Sequence, residues 1–406
     1  MLKKIDASQL KVGMYIHDLS CDWMTHPFAR SRFLLTQDDE IGKIRAAGIH
    51  VVVIDDTRGL DVQDAPTVAE ADACIEAELT VIAAAPVIVT RVSLGEEVQR
   101  AALIRHQATS LVRSVMQDAR MGKAIELDKV SPMVQSITES ILRNPGALMG
   151  LLRIKSADDY TFLHSVSVCT LLVAFCRSRG MDAATTYEAG LGGLLHDTGK
   201  ALVPDRILNK PGPLTAEEFD VIKRHPRDGY DLLLRSEGIG PIPLDITLHH
   251  HERLDGSGYP DKQGGTTISE LAQMAAIVDV YDAITADRCY HKGLSPAEAL
   301  RKIYEWSKCH LNPGYVQAFM RCVGIYPVGT MVMLASGRLA VVIEPHQTNL
   351  LAPKVNVFFN SKSKVYIKPE TVDLSRALGF GGGDKIVGHE APAKWHVDPM
   401  KFLNLA

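Results

Sequence analysis

The sequence predicts a mainly α protein, a helical bundle flanked by a small β-rich N-terminal domain and a short C-terminal β unit. Three observations predict it. Helical periodicity runs almost unbroken from Leu94 to about Arg321. On both sides the pattern changes to short β-branched runs bounded by turn residues. The chain of 406 residues is long enough for two or three domains at about 100–200 residues each.

Residues 1–62 read as short β segments. Val51-Val52-Val53-Ile54 is a buried-strand run, preceded by a turn at Gly48 and closed by Asp55-Asp56. A strand ending in two aspartates also suits a phosphate-accepting receiver domain, but this stretch is too short to hold one. Residues 63–95, rich in Ala, Asp and Pro, read as a linker with a short helix. Within the helical stretch 96–325, Thr215–Glu218 and Ser295–Glu298 are S/T-x-x-E capping boxes, the second with Pro296 at the first helical position. Residues 326–406 form the C-terminal extension: Val328–Ile343 and Val355–Ile367 alternate around Gly337 and Asn360. From Gly379 onward the Gly- and Pro-rich tail is expected to be irregular, with Gly381–Asp384 as a loop.

Composition narrows the function. With 46% hydrophobic and 23% charged residues the chain is an ordinary globular protein, which excludes collagen, coiled-coil and disordered readings. Its 44 basic and 48 acidic residues leave a net charge of −4, so no basic surplus exists for DNA, RNA or a membrane surface. An anionic substrate must be met locally, and a metal ion can supply that charge. The seven cysteines are scattered and never form a C-x-x-C pair, which suits a reducing compartment. No signal-peptide pattern opens the chain, and the apolar run Leu79–Val89 is short and broken by Pro86, so a soluble, cytoplasmic protein is expected.

The histidines carry the chemistry. His164, His196, His225, His249, His250 and His251 fall in the helical middle, with aspartates beside or after them. One helical histidine alone is usually a satisfied core or surface residue. Here His164 lies on or beside an apolar stripe through Val168, Leu171 and Phe175. His196-Asp197 closes the run Gly190–Leu195, where a hydrophobic helix should be inside. A charge buried there needs a partner, and a divalent cation is the most economical one. Pro226 disfavours helical geometry at His225 and marks a helix break. Asp279 and Asp282, three apart on a helix starting near Ser269, share one face. Imidazole nitrogen with carboxylate oxygen is the donor set of Fe, Mn, Zn or Ni; Ca and Mg prefer oxygen alone. An aspartate next to a histidine can bridge two ions, and such a pair polarises a phosphoryl group and activates water. Cysteine ligands of a structural zinc site are lacking.

Taken together, His196-Asp197-Thr198-Gly199-Lys200, His250-His251-Glu252, Gly258-Tyr259-Pro260 and Val278–Asp282 with Asp287-Arg288 closely resemble the HD-GYP family. That family is a subgroup of the HD-superfamily metal phosphohydrolases acting on cyclic di-GMP. The resemblance covers about residues 150–325 and implies an HD-type helical bundle. It implies hydrolysis of cyclic di-GMP to linear pGpG, GMP or both by a metal-bridging hydroxide. The ligands it implies are His164, His196, Asp197, His225, His250, His251 and Asp279, with Asp197 between two divalent transition-metal ions: Fe or Mn first, Ni or Zn also accommodated. Lys200 matches the lysine near the bridging water or a phosphate oxygen, Tyr259 and Arg288 match substrate contacts, and Asp282 looks like an orienting support for a ligand. Some members have a glutamate four residues before the first histidine that helps hold a third metal. This chain has Tyr160 there, which favours two ions, with Asp158 or Asp159 as possible substitutes. His291 stands where a basic residue is common, and His249 is extra to the pattern. A receptor with little turnover, or a hydrolase of another cyclic dinucleotide, are the alternatives. Protein partners would be met through the N-terminal domain or the Gly-Tyr-Pro loop.

Overall fold

The structure is a computed structural model describing residues 1–20, 28, 32–82, 92–152, 160–210, 212, 214–286, 293–324, 326–346, 349–376, 383–390 and 392–403. Arg288, with Asp287 and His291, lies outside the described residues, as do Asp158, Asp159, the end of the Leu79–Val89 run and the start of the Gly381–Asp384 loop.

Strands β1 (Leu2–Asp6), β2 (Tyr15–Asp18), β3 (Phe33–Leu34) and β4 (Val51–Asp55) form an antiparallel sheet in the order β1-β4-β2-β3. Between β3 and β4 lies a helix, α1 (Asp38–Ala46), where the sequence suggested only β segments. Its apolar signal is confined to Ile41 and Ile44, both buried, and its acidic first turn reads locally as a loop. These two isoleucines join Ile5, Met14, Ile16, Leu35, Val52 and Ile54 in a small core of their own. At the end of β4, Asp55 accepts hydrogen bonds from Thr57 and Asp56 pairs with the N-terminal ammonium group.

Helix α2 (Val68–Ile82) leads to the helical core: α3 (Leu94–Arg120), α4 (Leu127–Arg143), α5 (Pro145–Leu152), α6 (Tyr160–Ser178) and α7 (Ala183–Leu195). It continues through α8 (Asp205–Leu208), α9 (Ala216–Ile222), α10 (His225–Leu234), α11 (Pro241–His249), α12 (Glu270–Thr285), α13 (Pro296–Trp306) and α14 (Pro313–Val323). Helix α3 buries Ala101, Ile104, Ala108, Val112, Val115 and Ala119, a stripe at three- and four-residue spacing. Helices α6, α7 and α12 are apolar nearly all round because they run through the centre of the core. Among the described residues, Thr161–Ser178 of α6 is long and apolar enough to cross a membrane, yet 78% of it is buried inside the protein. A Cβ on Gly193 would stand 3.1 Å from the Cys169 backbone, so this glycine lets α7 lie directly against α6.

Two expectations need correction. The chain does break before Pro226, but His225 is the first residue of α10 instead of a non-helical one. Its Nδ1 bonds the Ile222 carbonyl 2.8 Å away, and Pro226 falls in the first turn, where a missing N–H costs nothing. The described part of the C-terminal tail carries regular structure as well. Strands β5 (Met331–Leu334), β6 (Arg338–Glu344), β7 (Lys354–Asn360), β8 (Val365–Asp373) and β9 (Ile386–His389) make an antiparallel sheet in the order β8-β7-β6-β5-β9, followed by α15 (Pro392–Trp395). Asp384 pairs with Arg338 and Ser336 and leads the chain into β9. This sheet is apolar on both faces: Val332, Ala340, Val342, Val355 and Val357 join the helical core. The opposite face, with Met331, Leu339, Val341 and Phe358, packs under Val397 and Leu403 of the tail.

Candidate metal centre

Helices α6, α7, α10, α11 and α12 converge so that His164, His196, Asp197, His225, His250, His251 and Asp279 meet in one buried cluster. Each arrives for a local reason. His164 and Asp279 project from central helices, and His196 caps the C-terminal end of α7. Asp197 begins a 3₁₀ turn that places Lys200 Nζ 2.6 Å from its Oδ2. That turn approaches α10 closely: a Cβ on Gly199 would lie 2.0 Å from the His225 carbonyl oxygen, a distance only glycine allows.

The cluster has two halves joined at one carboxylate. His164, His196 and Asp279 form one group, His225, His250 and His251 another, and His196, Asp197 and His250 a third that links them. Asp197 Oδ2 lies 3.5 Å from His164 Nε2 and 3.4 Å from His196 Nε2. Its Oδ1 lies 3.3 Å from His225 Nε2 and 3.9 Å from His250 Nε2. His164 Nε2 is also 3.0 Å from Asp279 Oδ1, and His251 Nδ1 is 3.9 Å from Asp279 Oδ2.

Proton placement follows from the outer partners. His196 Nδ1 faces the Gly193 carbonyl at 2.8 Å, His225 Nδ1 that of Ile222 at 2.8 Å, and His250 Nδ1 that of Thr247 at 3.0 Å. A carbonyl cannot donate, so each Nδ1 carries the hydrogen and each Nε2 turns a lone pair inward. His225 Nε2 and His250 Nε2 then face each other at 3.3 Å, two acceptors with nothing between them to donate. His196 Nε2, His251 Nε2 and Asp197 Oδ1 are buried without hydrogen-bond partners. Polar atoms buried in this way need partners, and cations bound in the cluster would satisfy them.

Charge states agree with that reading. Burial, reinforced by the neighbouring imidazoles, holds His250 and His251 well below the usual histidine range, and burial lowers His225 too. These are neutral imidazoles. Burial disfavours the charge on Asp197, but His196 and Lys200 outweigh it, and the carboxyl sits well below the carboxylate range. Asp279 behaves alike, its burial overcome mainly by the bond from His164. His164 is raised because its bonds to Asp279 and Asp282 outweigh its burial. The neutral imidazoles of His225, His250 and His251 beside two ionised carboxylates suit a divalent transition metal, whereas His164, whose protonated form its two carboxylate partners favour, must release its Nε2 proton to bind one.

Around the cluster, Asp282 Oδ2 accepts from His164 Nδ1 at 2.7 Å, a bond that fixes the orientation of the His164 ring. Tyr259 stacks on His251 with ring centroids 4.6 Å apart, at the edge of the cluster. His249 stays out of it: Nδ1 bonds Asp245 at 2.7 Å and Nε2 faces Gln263 at 2.9 Å. Sequence reading passed over a second convergence, Asp255 with His50 and His310. Asp255 lies between the His250-His251-Glu252 and Gly-Tyr-Pro signals, but nothing local marks His50 or His310.

Comparison with known proteins places the chain in a class. Residues 147–313 match the family described as HD domain, and residues 2–130 match a domain of unknown function, DUF3391. The helical core is that of an HD-domain hydrolase. A protein of Pseudomonas aeruginosa named as a cyclic di-GMP phosphodiesterase is 46% identical over 98% of this chain and 94% of its own length. A Xanthomonas campestris protein named as a cyclic di-GMP phosphodiesterase response regulator is 32% identical over 58% of this chain and 67% of its own. A Vibrio cholerae protein named as a 3′3′-cGAMP-specific phosphodiesterase is 35% identical over 36% of this chain and 34% of its own. The chain belongs to the HD-GYP family.

Proposed function

We propose that the chain is a metal-dependent phosphodiesterase that hydrolyses cyclic di-GMP, using two divalent ions. His164, His196 and Asp279 would hold one ion, His225, His250 and His251 the other, and Asp197 would bridge them. The single observation carrying this reading is that the two oxygens of Asp197 face the two groups separately. When bound, such ions supply Lewis-acid charge for a phosphoryl group and acidify water at neutral pH. Fe or Mn is the proposed pair, with Ni or Zn compatible with the same donors.

The chain's own residues do the rest. Asp282 keeps His164 in one tautomer. Lys200, held at Asp197, places an ammonium group beside the point where phosphoryl charge develops. Tyr259 offers a ring against the nucleotide next to His251, and Arg288 is proposed to pair with phosphate. Products would be linear pGpG, GMP or both. We place the chain in the cytoplasm, with residues 1–62 and the Gly-Tyr-Pro loop as surfaces for protein partners. The relative specific for 3′3′-cGAMP supports a second reading, in which the substrate is another cyclic dinucleotide.

The test is chromatography of nucleotides after anaerobically purified protein, supplied with Mn²⁺ or Fe²⁺, meets cyclic di-GMP or 3′3′-cGAMP. Conversion of cyclic di-GMP, absent in an Asp197→Ala control, supports the proposal. Conversion of 3′3′-cGAMP alone moves it to the second reading, and unchanged nucleotides under every metal refute both.

A further inference from the structure

The N-terminal sheet is docked on the helical core beside the metal cluster. Lys4 Nζ lies 2.6 Å from Glu305 Oε1, and the Trp306 indole N–H donates to the Ser20 carbonyl at 2.8 Å. These contacts set the turn before β4 over the Gly-Tyr-Pro loop. Gly48 has φ +70°, and a Cβ there would stand 2.9 Å from Cβ and Oγ of Ser257, so the Gly48 backbone packs directly against the Ser257 side chain.

The loop is held from two sides through one carboxylate. Asp255 Oδ2 lies 2.9 Å from His50 Nε2 in the N-terminal domain and 3.2 Å from His310 Nδ1 in the helical core. Asp255 Oδ1 accepts from Ser257 N at 3.0 Å and Ser257 Oγ at 2.7 Å. The Leu254 N–H bonds the His310 carbonyl at 3.0 Å. His50 is therefore the N-terminal domain's grip on a loop that ends in Tyr259.

A pocket begins at His251 and Tyr259 and runs outward between the two domains. Arg253 and Trp306 line its helical side, and Gly48 and His50 its N-terminal side. Its inner end is a candidate metal ligand. Its walls pair an apolar indole with imidazole and guanidinium donors, which suits a purine nucleoside better than a bare phosphate.

We infer that the N-terminal domain completes the nucleotide pocket: its turn at residues 48–51 walls the space for one nucleoside of the cyclic dinucleotide, and His50, through Asp255, positions the Gly-Tyr-Pro loop. This rests on the cyclic-dinucleotide reading of the site. His50 is a positioning residue and touches neither the reacting phosphate nor the metal ligands.

The experiment compares two substrates on the metal-loaded full chain: cyclic di-GMP, which reaches the N-terminal wall, and bis(p-nitrophenyl) phosphate, which is too small to. His50→Ala is expected to raise KM for cyclic di-GMP about tenfold, with a smaller change in kcat. The ratio of kcat/KM between the dinucleotide and the small ester should fall by a similar factor. His50→Gln, which keeps an N–H donor, should recover most of the loss. Gly48→Val, which pushes the wall off the loop, should shift the ratio in the same direction. Equal losses on both substrates, or an unchanged KM in both His50→Ala and Gly48→Val, overturn the inference alone. Wild-type protein that cleaves the small ester but no cyclic dinucleotide overturns the substrate reading and the nucleoside pocket with it.

Discussion

At Glu97 the helical core buries a carboxylate whose oxygens are filled by its own neighbours: Ser140 Oγ at 2.9 Å, Arg143 Nε at 2.7 Å and Arg143 Nη2 at 2.9 Å. At Asp197, equally buried in the same core, Oδ1 has no hydrogen-bond partner and the imidazole nitrogens around it present lone pairs to one another. One cluster closes on itself and ties α3 to α4. The other is complete only when something positive enters from outside. The difference separates structural polarity from functional polarity without reference to any motif: a core pays for buried charge once, and a cluster left unsatisfied is holding a place for a ligand.

The strongest way to break this comparison is to remove one donor from each cluster. His225→Ala should lower turnover to below about a thousandth of wild type, well beyond the 10–100-fold that outer partners of a metal site cost. Metal content by plasma mass spectrometry should fall with it, and full activity at full metal content would contradict the two-group arrangement. Glu97→Ala should do the opposite. It leaves Ser140 and part of Arg143 unpaired and should cost about 3 kcal/mol of stability, measured by urea unfolding. Metal content per folded molecule should not change, and a Glu97 variant that loses its metals would erase the distinction.

Two smaller effects sharpen it. Asp282→Asn keeps a hydrogen-bonding group against His164 but removes the charge, so metal affinity should drop about 10–100-fold in a competitive chelator titration. Burial alone is tested by the thiols. Cys176 and Cys322, enclosed by apolar neighbours, are pushed up to about 12, so at pH 8 they remain protonated. Iodoacetamide on the native protein should label exposed Cys74 and spare both, as read by peptide mass mapping.

The fold was legible where the signal is periodic. The stripe of α3, the capping boxes of α9 and α13 and the serine before α12 all mark helices that form where they were expected. Helix α1 escaped because two isoleucines carry its whole apolar face. Strand β9 escaped because four residues, two of them apolar, are too few to show a period.

The sequence by itself determined the helical core with its two β flanks, and a donor set of histidines and aspartates suited to a transition metal. Those are local properties: a period needs only neighbours, and donor chemistry needs only residue type. Tertiary structure alone decided that the two oxygens of Asp197 face different histidine groups, because that depends on α7 lying against α6 at Gly193 and on the turn at Gly199 meeting α10. It alone brought His50 to Asp255, 205 residues away. Lone pairs in opposition and a loop gripped by a distant domain are relations between segments, and they exist only once close packing has placed the segments side by side.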